Sequence, residues 1–107
     1  MVRLQVAFRF SSAPGSLSFS MSEALINAAL RSLYGQVGAS QLLYTISQWN
    51  EETYEAVVDV EESRDAVKVW TGLTLLSWFD AKRVRAAVGA SEEDMRLIFP
   101  EKPRKRR

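Results

Sequence analysis

The order in which hydrophobic periodicities change along this chain constrains its fold more than any single motif does. Residues 2–11 alternate between apolar and polar or small side chains, which is typical of a strand with one buried face. After a loop, apolar residues recur at helical spacing and predict an amphipathic helix. Its stripe consists of Ile26, Ala29, Leu30 and Leu33. We therefore expect a strand followed by a helix that covers it.

Turn and capping residues set the limits of the next elements. Ser20 and Glu23 have the spacing of a capping box, which predicts the start of the first helix, and Gly35 is the predicted end. Residues 41–49 and 53–61 read as two strands joined by a short polar turn. These two segments therefore predict a β-hairpin.

The second half of the chain repeats the helix–strand pattern. Ser63 is a plausible N-cap for a second helix, which the apolar residues 67–79 (VKVWTGLTLLSWF) would continue. Residues 82–88 alternate and predict a fourth strand. Ser91 could cap a short last helix over residues 92–99.

The resulting order, β-α-β-β-α-β, predicts a ferredoxin-like α+β fold with a four-stranded antiparallel sheet and two helices on one face. The first and third strands are then central, and the fourth flanks the first. Arg3 and Arg9 are expected to face Glu55 and Asp59 across neighbouring strands. Trp49 is the one aromatic side chain expected on the open face of the sheet.

Length and composition restrict the chemistry of the chain. With 107 residues it is long enough for one domain, predicted over residues 1–99, followed by a basic and disordered tail over residues 100–107. Cysteine and histidine are absent, which argues against zinc sites and the common nucleophile–base arrangements. We therefore predict no catalytic, metal or cofactor site. No apolar run reaches the roughly 18–20 residues of a membrane span, so no membrane association is expected.

Positive charge is concentrated in two places. Residues 102–107 hold five of the 14 basic residues, which leaves residues 1–101 with 9 basic and 13 acidic residues. Basic residues of the fourth strand would extend a positive edge on the sheet. A solvated face and a solvated tail are the alternative interpretation; contact with RNA phosphates is the functional one. The RNA-contact candidates are Lys82, Arg83, Arg85, Lys102, Arg104, Lys105, Arg106 and Arg107.

The apolar stretch 67–79, taken as a helix, lacks a polar side, because Lys68 is its only charged residue. Such a helix needs cover in more than one direction. Two arrangements inside the domain would supply it. The last turn could leave the helix and fold over the core, or the C-terminal Met95, Ile98 and Phe99 could cover the outer side. A protein partner is the third possibility, with Gly72 allowing close approach. The interface candidates are Val67, Trp70, Gly72, Leu75, Trp78 and Phe79.

Four segments together resemble the small protein subunits of ribonuclease P and ribonuclease MRP, and among these the fourteen-kilodalton subunit family. They are LYGQVGAS (33–40), EETYEAVVDV (51–60), VKVWTGLTLLSWF (67–79) and RVRAAVGAS (83–91). The resemblance implies an RRM-like fold and a role in a ribonucleoprotein that removes the 5′ leader of precursor tRNA. It implies that the RNA is catalytic and that this chain has no activity alone. It also implies a nuclear or nucleolar location and three partners: the catalytic RNA, an RRM-like sister subunit and a barrel-fold subunit.

The sequence departs from RNA-reading RRM domains, since it has no aromatic RNP motif and its third strand offers Glu55 and Asp59. RNA contact would therefore involve mainly the charge of the RNA backbone.

The sequence bears on three other interpretations. An acylphosphatase looks to need an arginine in the first loop, and residues 11–18 contain none. An ACT-type domain for small ligands or protein interaction has weak support in Gly15. The acidic body disfavours an RNA-binding protein that acts without partners.

Overall fold

The first segment forms the central strand of the molecule. In the computed structural model, which describes residues 1–11, 16–76, 78–79 and 82–99, β1 spans Val2–Phe10. Its alternation places Val2, Leu4, Val6 and Phe8 in the core, each at most 3% exposed. The remaining elements are α1 (Phe19–Ser40), β2 (Tyr44–Asn50), β3 (Glu55–Val60), α2 (Ser63–Thr74), β4 (Trp78–Phe79), β5 (Lys82–Ala90) and α3 (Glu92–Ile98).

The strands pair antiparallel in the order β2-β3-β1-β5-β4. The ferredoxin-like α+β prediction is confirmed, with β1 and β3 central and the predicted fourth strand, here β5, beside β1. The two-residue β4, which pairs with the start of β5, was not predicted.

The N-cap of α1 lies two residues before the predicted one. Ser18 is its N-cap, and the Met21 N–H donates to Ser18 Oγ over 3.3 Å, so Ser20 lies inside the helix. Gly35 adopts φ +78°, a conformation that favours glycine, and interrupts the helix as predicted. Two helical segments meet at this kink, so the first ends at the predicted position, and the second, which was not predicted, continues to Ser40.

α2 is shorter than predicted, because it ends at Thr74 and Trp78–Phe79 pairs with β5 as a strand. The prediction of one helix through Phe79 is therefore wrong. Its N-cap is Glu62 and not Ser63. Within its true limits α2 has an exposed polar side, to which Arg64 and Lys68 belong. The pattern gave no sign of this change because no glycine, proline or charged residue stands between Thr74 and Trp78.

Both long helices lie on one face of the sheet and pack against each other. α1 contributes Leu25, Ile26 and Leu30 to the core, and α2 contributes Ala66, Val69 and Leu73. The Tyr34 hydroxyl donates to the Lys68 carbonyl over 2.8 Å, which links the two helices. Burial of the Tyr34 ring raises the pKa of its hydroxyl.

α3 covers part of the outer side of α2. Ser91 caps it as predicted, because the Asp94 N–H donates to Ser91 Oγ over 3.2 Å. Ile98 is buried, with 3% of its surface exposed. The rings of Trp70 and Phe99 meet edge to face with centroids 5.4 Å apart. Of the two internal arrangements that the sequence left open, cover by the C-terminal helix is observed. The last turn of the apolar stretch also leaves the helix, as the other arrangement requires. None of the helices in the described ranges has the length and apolar character that crossing a membrane requires.

Candidate nucleic-acid interface

The face of the sheet opposite the helices is open and built mainly from short or polar side chains. β1 contributes Arg3, Gln5, Ala7 and Arg9 to it, β3 contributes Glu55, Val57 and Asp59, and β5 contributes Arg85, Ala87 and Gly89. Over its middle lies a concave trough of about 1090 Å³, bordered by residues of β1, β2, β3 and β5. We call this surface the open face.

Trp49 does not lie on the open face, contrary to the prediction from the sequence. A β-bulge shifts the register of β2 between Ile46 and Gln48, so Trp49 pairs with the buried Ala56. Its Nε1–H donates to the Leu17 carbonyl over 2.8 Å. In β1, β2, β3 and residues 83–90, no aromatic residue lies on the open face. This part of the face therefore offers no aromatic ring on which a base could stack.

The expected charge pair between β1 and β3 forms at one position. Arg3 stands opposite Asp59, and its Nε donates to Asp59 Oδ1 over 2.9 Å. The backbone N–H of Arg3 also donates to Asp94 Oδ2 over 3.1 Å, which links α3 to the sheet. The hydrogen bond from Arg3 lowers the pKa of Asp59, and burial raises it by a smaller amount. The pKa therefore lies below its ordinary value.

The second expected pair does not form. Glu55 stands opposite Ala7, and its carboxylate accepts a hydrogen bond from Thr53 Oγ1 over 2.9 Å. Arg9 instead stands directly opposite Arg85 of β5. Both arginines are exposed, and neither forms an ion pair with any residue in the described ranges. We call these two residues the arginine pair.

Negative charge lies at the same end of the open face, but over β2 and β3 and not over β1 and β5. Glu51 and Glu52 belong to the turn between β2 and β3, next to Glu55. Asn50 fixes this turn, because its Oδ1 accepts hydrogen bonds from the N–H groups of Glu52 (2.9 Å) and Thr53 (3.2 Å). The open face is thus positive on its β1–β5 side and negative on its β2–β3 side.

The structure describes the side chains of two of the RNA-contact candidates, Arg83 and Arg85. Arg83 and Arg85 lie on β5 with one residue between them, and both are exposed. The strand begins at Lys82, whose side chain lies outside the description. Lys102, Arg104, Lys105, Arg106 and Arg107 lie outside the described residues. Arg9 was not among the candidates. Its alternation with apolar residues placed it on the open face, but only the register shows that it meets Arg85.

Among the interface candidates whose side chains the structure describes, only Leu75 is largely exposed. Val67 and Trp70 are partly buried against the core. Gly72 is buried, and a Cβ added there would lie 2.7 Å from Leu30 Cδ2 of α1, so the close approach that it permits is inside the domain. Leu75 is 62% exposed. Trp78 and Phe79 form β4, and their side chains lie outside the description.

The described residues offer charged groups for contact with a ligand. Among them no group of three carboxylates, histidines or cysteines is placed to hold a metal ion. No protein-family model matches the chain, and no curated protein matches it significantly.

Proposed function

We propose that this chain is a non-catalytic protein subunit of a ribonucleoprotein of the ribonuclease P and ribonuclease MRP kind, which supports 5′ maturation of precursor tRNA. In this role the chain contacts RNA and helps to assemble the other subunits. The observation that carries the proposal is the arginine pair, two exposed cations that face each other across strands with no carboxylate bound to either in the described ranges.

Like charges directly opposite on a sheet destabilise it, so the arginine pair is unfavourable for the isolated chain. A bound anion would remove this cost. Arginine binds phosphate oxygens through two parallel N–H groups, which makes an RNA backbone a suitable ligand. Because the described open face lacks aromatic residues, the contact would involve phosphates and not stacked bases.

The resemblance of four segments to subunits of ribonuclease P and MRP supports the choice of ribonucleoprotein. The partners proposed on that basis are the catalytic RNA, an RRM-like sister subunit and a barrel-fold subunit, in the nucleus or nucleolus. Exposed Leu75, at the end of α2, is a candidate for protein contact beside the RNA surface.

Affinity purification tests this proposal. The chain is tagged at its own locus, and the RNA and proteins that co-purify are sequenced and identified. We expect ribonuclease P or MRP RNA together with several protein subunits, and precursor tRNAs with 5′ leaders should accumulate when the chain is depleted. Recovery of neither RNA, with normal tRNA maturation after depletion, would refute the proposal.

A pair of variants connects the assembly to the open face. R9Q/R85Q should lower the amount of co-purified RNA relative to the tagged wild type. R31Q is the matched control, because Arg31 is an exposed arginine of α1 on the opposite side of the sheet. It should leave the recovered RNA unchanged.

A further inference from the structure

We infer that Arg9 and Arg85 hold one phosphate group of an RNA backbone between them, so that the two side chains form a single binding site. This inference rests on the proposed function, because it specifies how the chain contacts RNA. It predicts that the two arginines act together and that neither contributes fully without the other.

The register brings the two side chains to the same point. Residues directly opposite on antiparallel strands have Cβ atoms about 4.5–5.5 Å apart and point to the same face. The pairing of β1 with β5 continues on both sides of the arginines, from Leu4↔Ala90 to Phe10↔Val84. Beyond it, the Ser11 N–H donates to the Arg83 carbonyl over 2.9 Å. The two arginines therefore lie within a regular ladder that fixes their separation.

A phosphodiester matches this arrangement in charge and in shape. It carries one negative charge and two non-bridging oxygens, and each guanidinium group presents a planar set of N–H donors. One phosphate between two guanidinium groups can accept from both and separates their positive charges. Two phosphates, one on each arginine, would place two anions about as close together as the two side chains are.

The rows next to the arginine pair leave room for the rest of the backbone. Ala7 stands opposite Ala87, and Gln5 stands opposite Gly89. A Cβ added at Gly89 would meet no atom within 4 Å, so the surface is open there. Ala7 and Ala87, which lie next to the arginine pair, have no long side chain above the sheet. A ribose–phosphate chain can thus approach the sheet closely on its β1–β5 side.

The acidic side of the open face restricts where the RNA lies. Glu55 stands next to this strip, opposite Ala7, and Glu51 and Glu52 follow in the neighbouring turn. These carboxylates repel phosphates, which limits the backbone to the β1–β5 side. They also make a second copy of this chain the main competitor for the arginines, since its acidic turn has the complementary charge.

A double-mutant cycle on the full chain tests the shared phosphate. The probe is a fluorescent RNA hairpin with a 20-base-pair stem, and its affinity is measured for wild type, R9Q, R85Q and R9Q/R85Q at several KCl concentrations. Each single variant should weaken binding roughly tenfold. The double variant should bind about as weakly as either single one, far from the product of the two effects. For the double variant, the plot of log K against log[KCl] should be less steep than for wild type by about 0.7–0.9, the value for one phosphate.

Independent phosphates would give another result. The inference is wrong if the losses of affinity in R9Q and R85Q multiply in the double variant while its salt dependence weakens by the value for two phosphates. It is also wrong if no variant changes the affinity. Sedimentation that shows a dimer lost in R85Q would also overturn it in favour of self-association. R31Q should retain wild-type affinity, and a urea titration of each variant excludes loss of folding as the cause.

The two proposals fail in different ways. Multiplying effects in a chain that still co-purifies with ribonuclease P or MRP RNA would reject the shared phosphate and leave the proposed function in place. A coupled pair in a chain that co-purifies with neither RNA would reject the proposed function, and the two-arginine phosphate site would remain.

Discussion

Arg3 and Asp59 stand opposite each other on the two central strands, and the Nε of Arg3 lies 2.9 Å from Oδ1 of Asp59. Only 14% of the Asp59 side chain is exposed, compared with 57% of that of Arg3. The hydrogen bond from Arg3 is the largest cause of the lowered pKa of Asp59, and the same bond raises the pKa of Arg3. The pair is therefore a local link between pH and the stability of the sheet.

The stability of the chain should depend on the ionisation of Asp59. Because its pKa in the folded state lies below the ordinary value of 3.8, the ionised carboxylate stabilises the fold above that pH. This contribution is lost as pH falls from about 3.8 through the lower pKa of the folded state. D59N should lower the urea midpoint at pH 7, and it should flatten the fall of the midpoint between pH 4 and pH 2.

The control for this experiment is E62Q. Glu62 also binds an arginine, with Arg64 Nε 3.1 Å from its Oε2, but 60% of the Glu62 side chain and 83% of the Arg64 side chain are exposed. Exposed pairs contribute little to stability, so E62Q should retain the wild-type pH profile. A D59N profile that superimposes on that of E62Q would contradict the role assigned to the Arg3–Asp59 pair.

α3 should be a structural part of the domain and not an appendage. Ile98 is 3% exposed, whereas its neighbour Leu97 is 51% exposed. I98A should therefore lower the free energy of unfolding by about 2–5 kcal/mol, since it removes a buried side chain. L97A should change it by less than about 0.5 kcal/mol. Urea denaturation of both variants decides the point, and equal effects would mean that α3 does not pack as described.

The sequence predicted the parts of the fold that periodicity controls. Alternation in β1 and β3 matches their buried and exposed residues, because a strand buried on one face repeats every two residues. The helical spacing of Ile26, Ala29 and Leu30 likewise matches their burial in α1. Strand order followed from the order of elements, since few topologies accommodate it.

Features that depend on register were not predictable in this way. Regular alternation after Ile46 would place Gln48 in the core, and one extra residue in the bulge places Trp49 there instead. The end of α2 was missed because the segment from Thr74 to Trp78 contains no glycine, proline or charged residue that would mark a boundary. The arginine pair depends on how β1 and β5 align, which no local pattern fixes.

The orientation of Trp49 provides a direct test of the bulge. Trp49 donates to the Leu17 carbonyl and lies near Phe8, with ring centroids 6.2 Å apart, whereas its neighbour Gln48 is exposed. W49A should lower the free energy of unfolding by about 3–5 kcal/mol. W49F retains a ring but loses the hydrogen bond, and it should cost about 1 kcal/mol.

Q48A is the matched control, since an exposed strand residue should contribute less than about 0.5 kcal/mol. Thermal or urea unfolding followed by circular dichroism suits all three variants, because it does not depend on tryptophan fluorescence. If W49A and Q48A were equally mild, the strand would follow regular alternation, with Trp49 on the open face.

Gly72 should resist replacement because of α1 and not because of an external partner. A Cβ at this position would lie 2.7 Å from Leu30 Cδ2, and Leu30 is fully buried. Two effects oppose each other: alanine favours the helix by about 1 kcal/mol, and overpacking costs about 1–3 kcal/mol. We expect the second to prevail, so that G72A lowers the free energy of unfolding by about 1 kcal/mol. G89A should be nearly neutral, since a Cβ at Gly89 would have open space around it.

A second substitution identifies the atom responsible. Leu30→Val shortens the side chain that the new Cβ would meet, and alone it should cost about 1 kcal/mol for the lost methylene. In the G72A background it relieves the overlap, so G72A/L30V should be less destabilised than the sum of the two single variants. Additive effects, or a G72A chain more stable than wild type, would show that the helices are not in close contact at this point. Gly72 would then be available to a partner outside the domain.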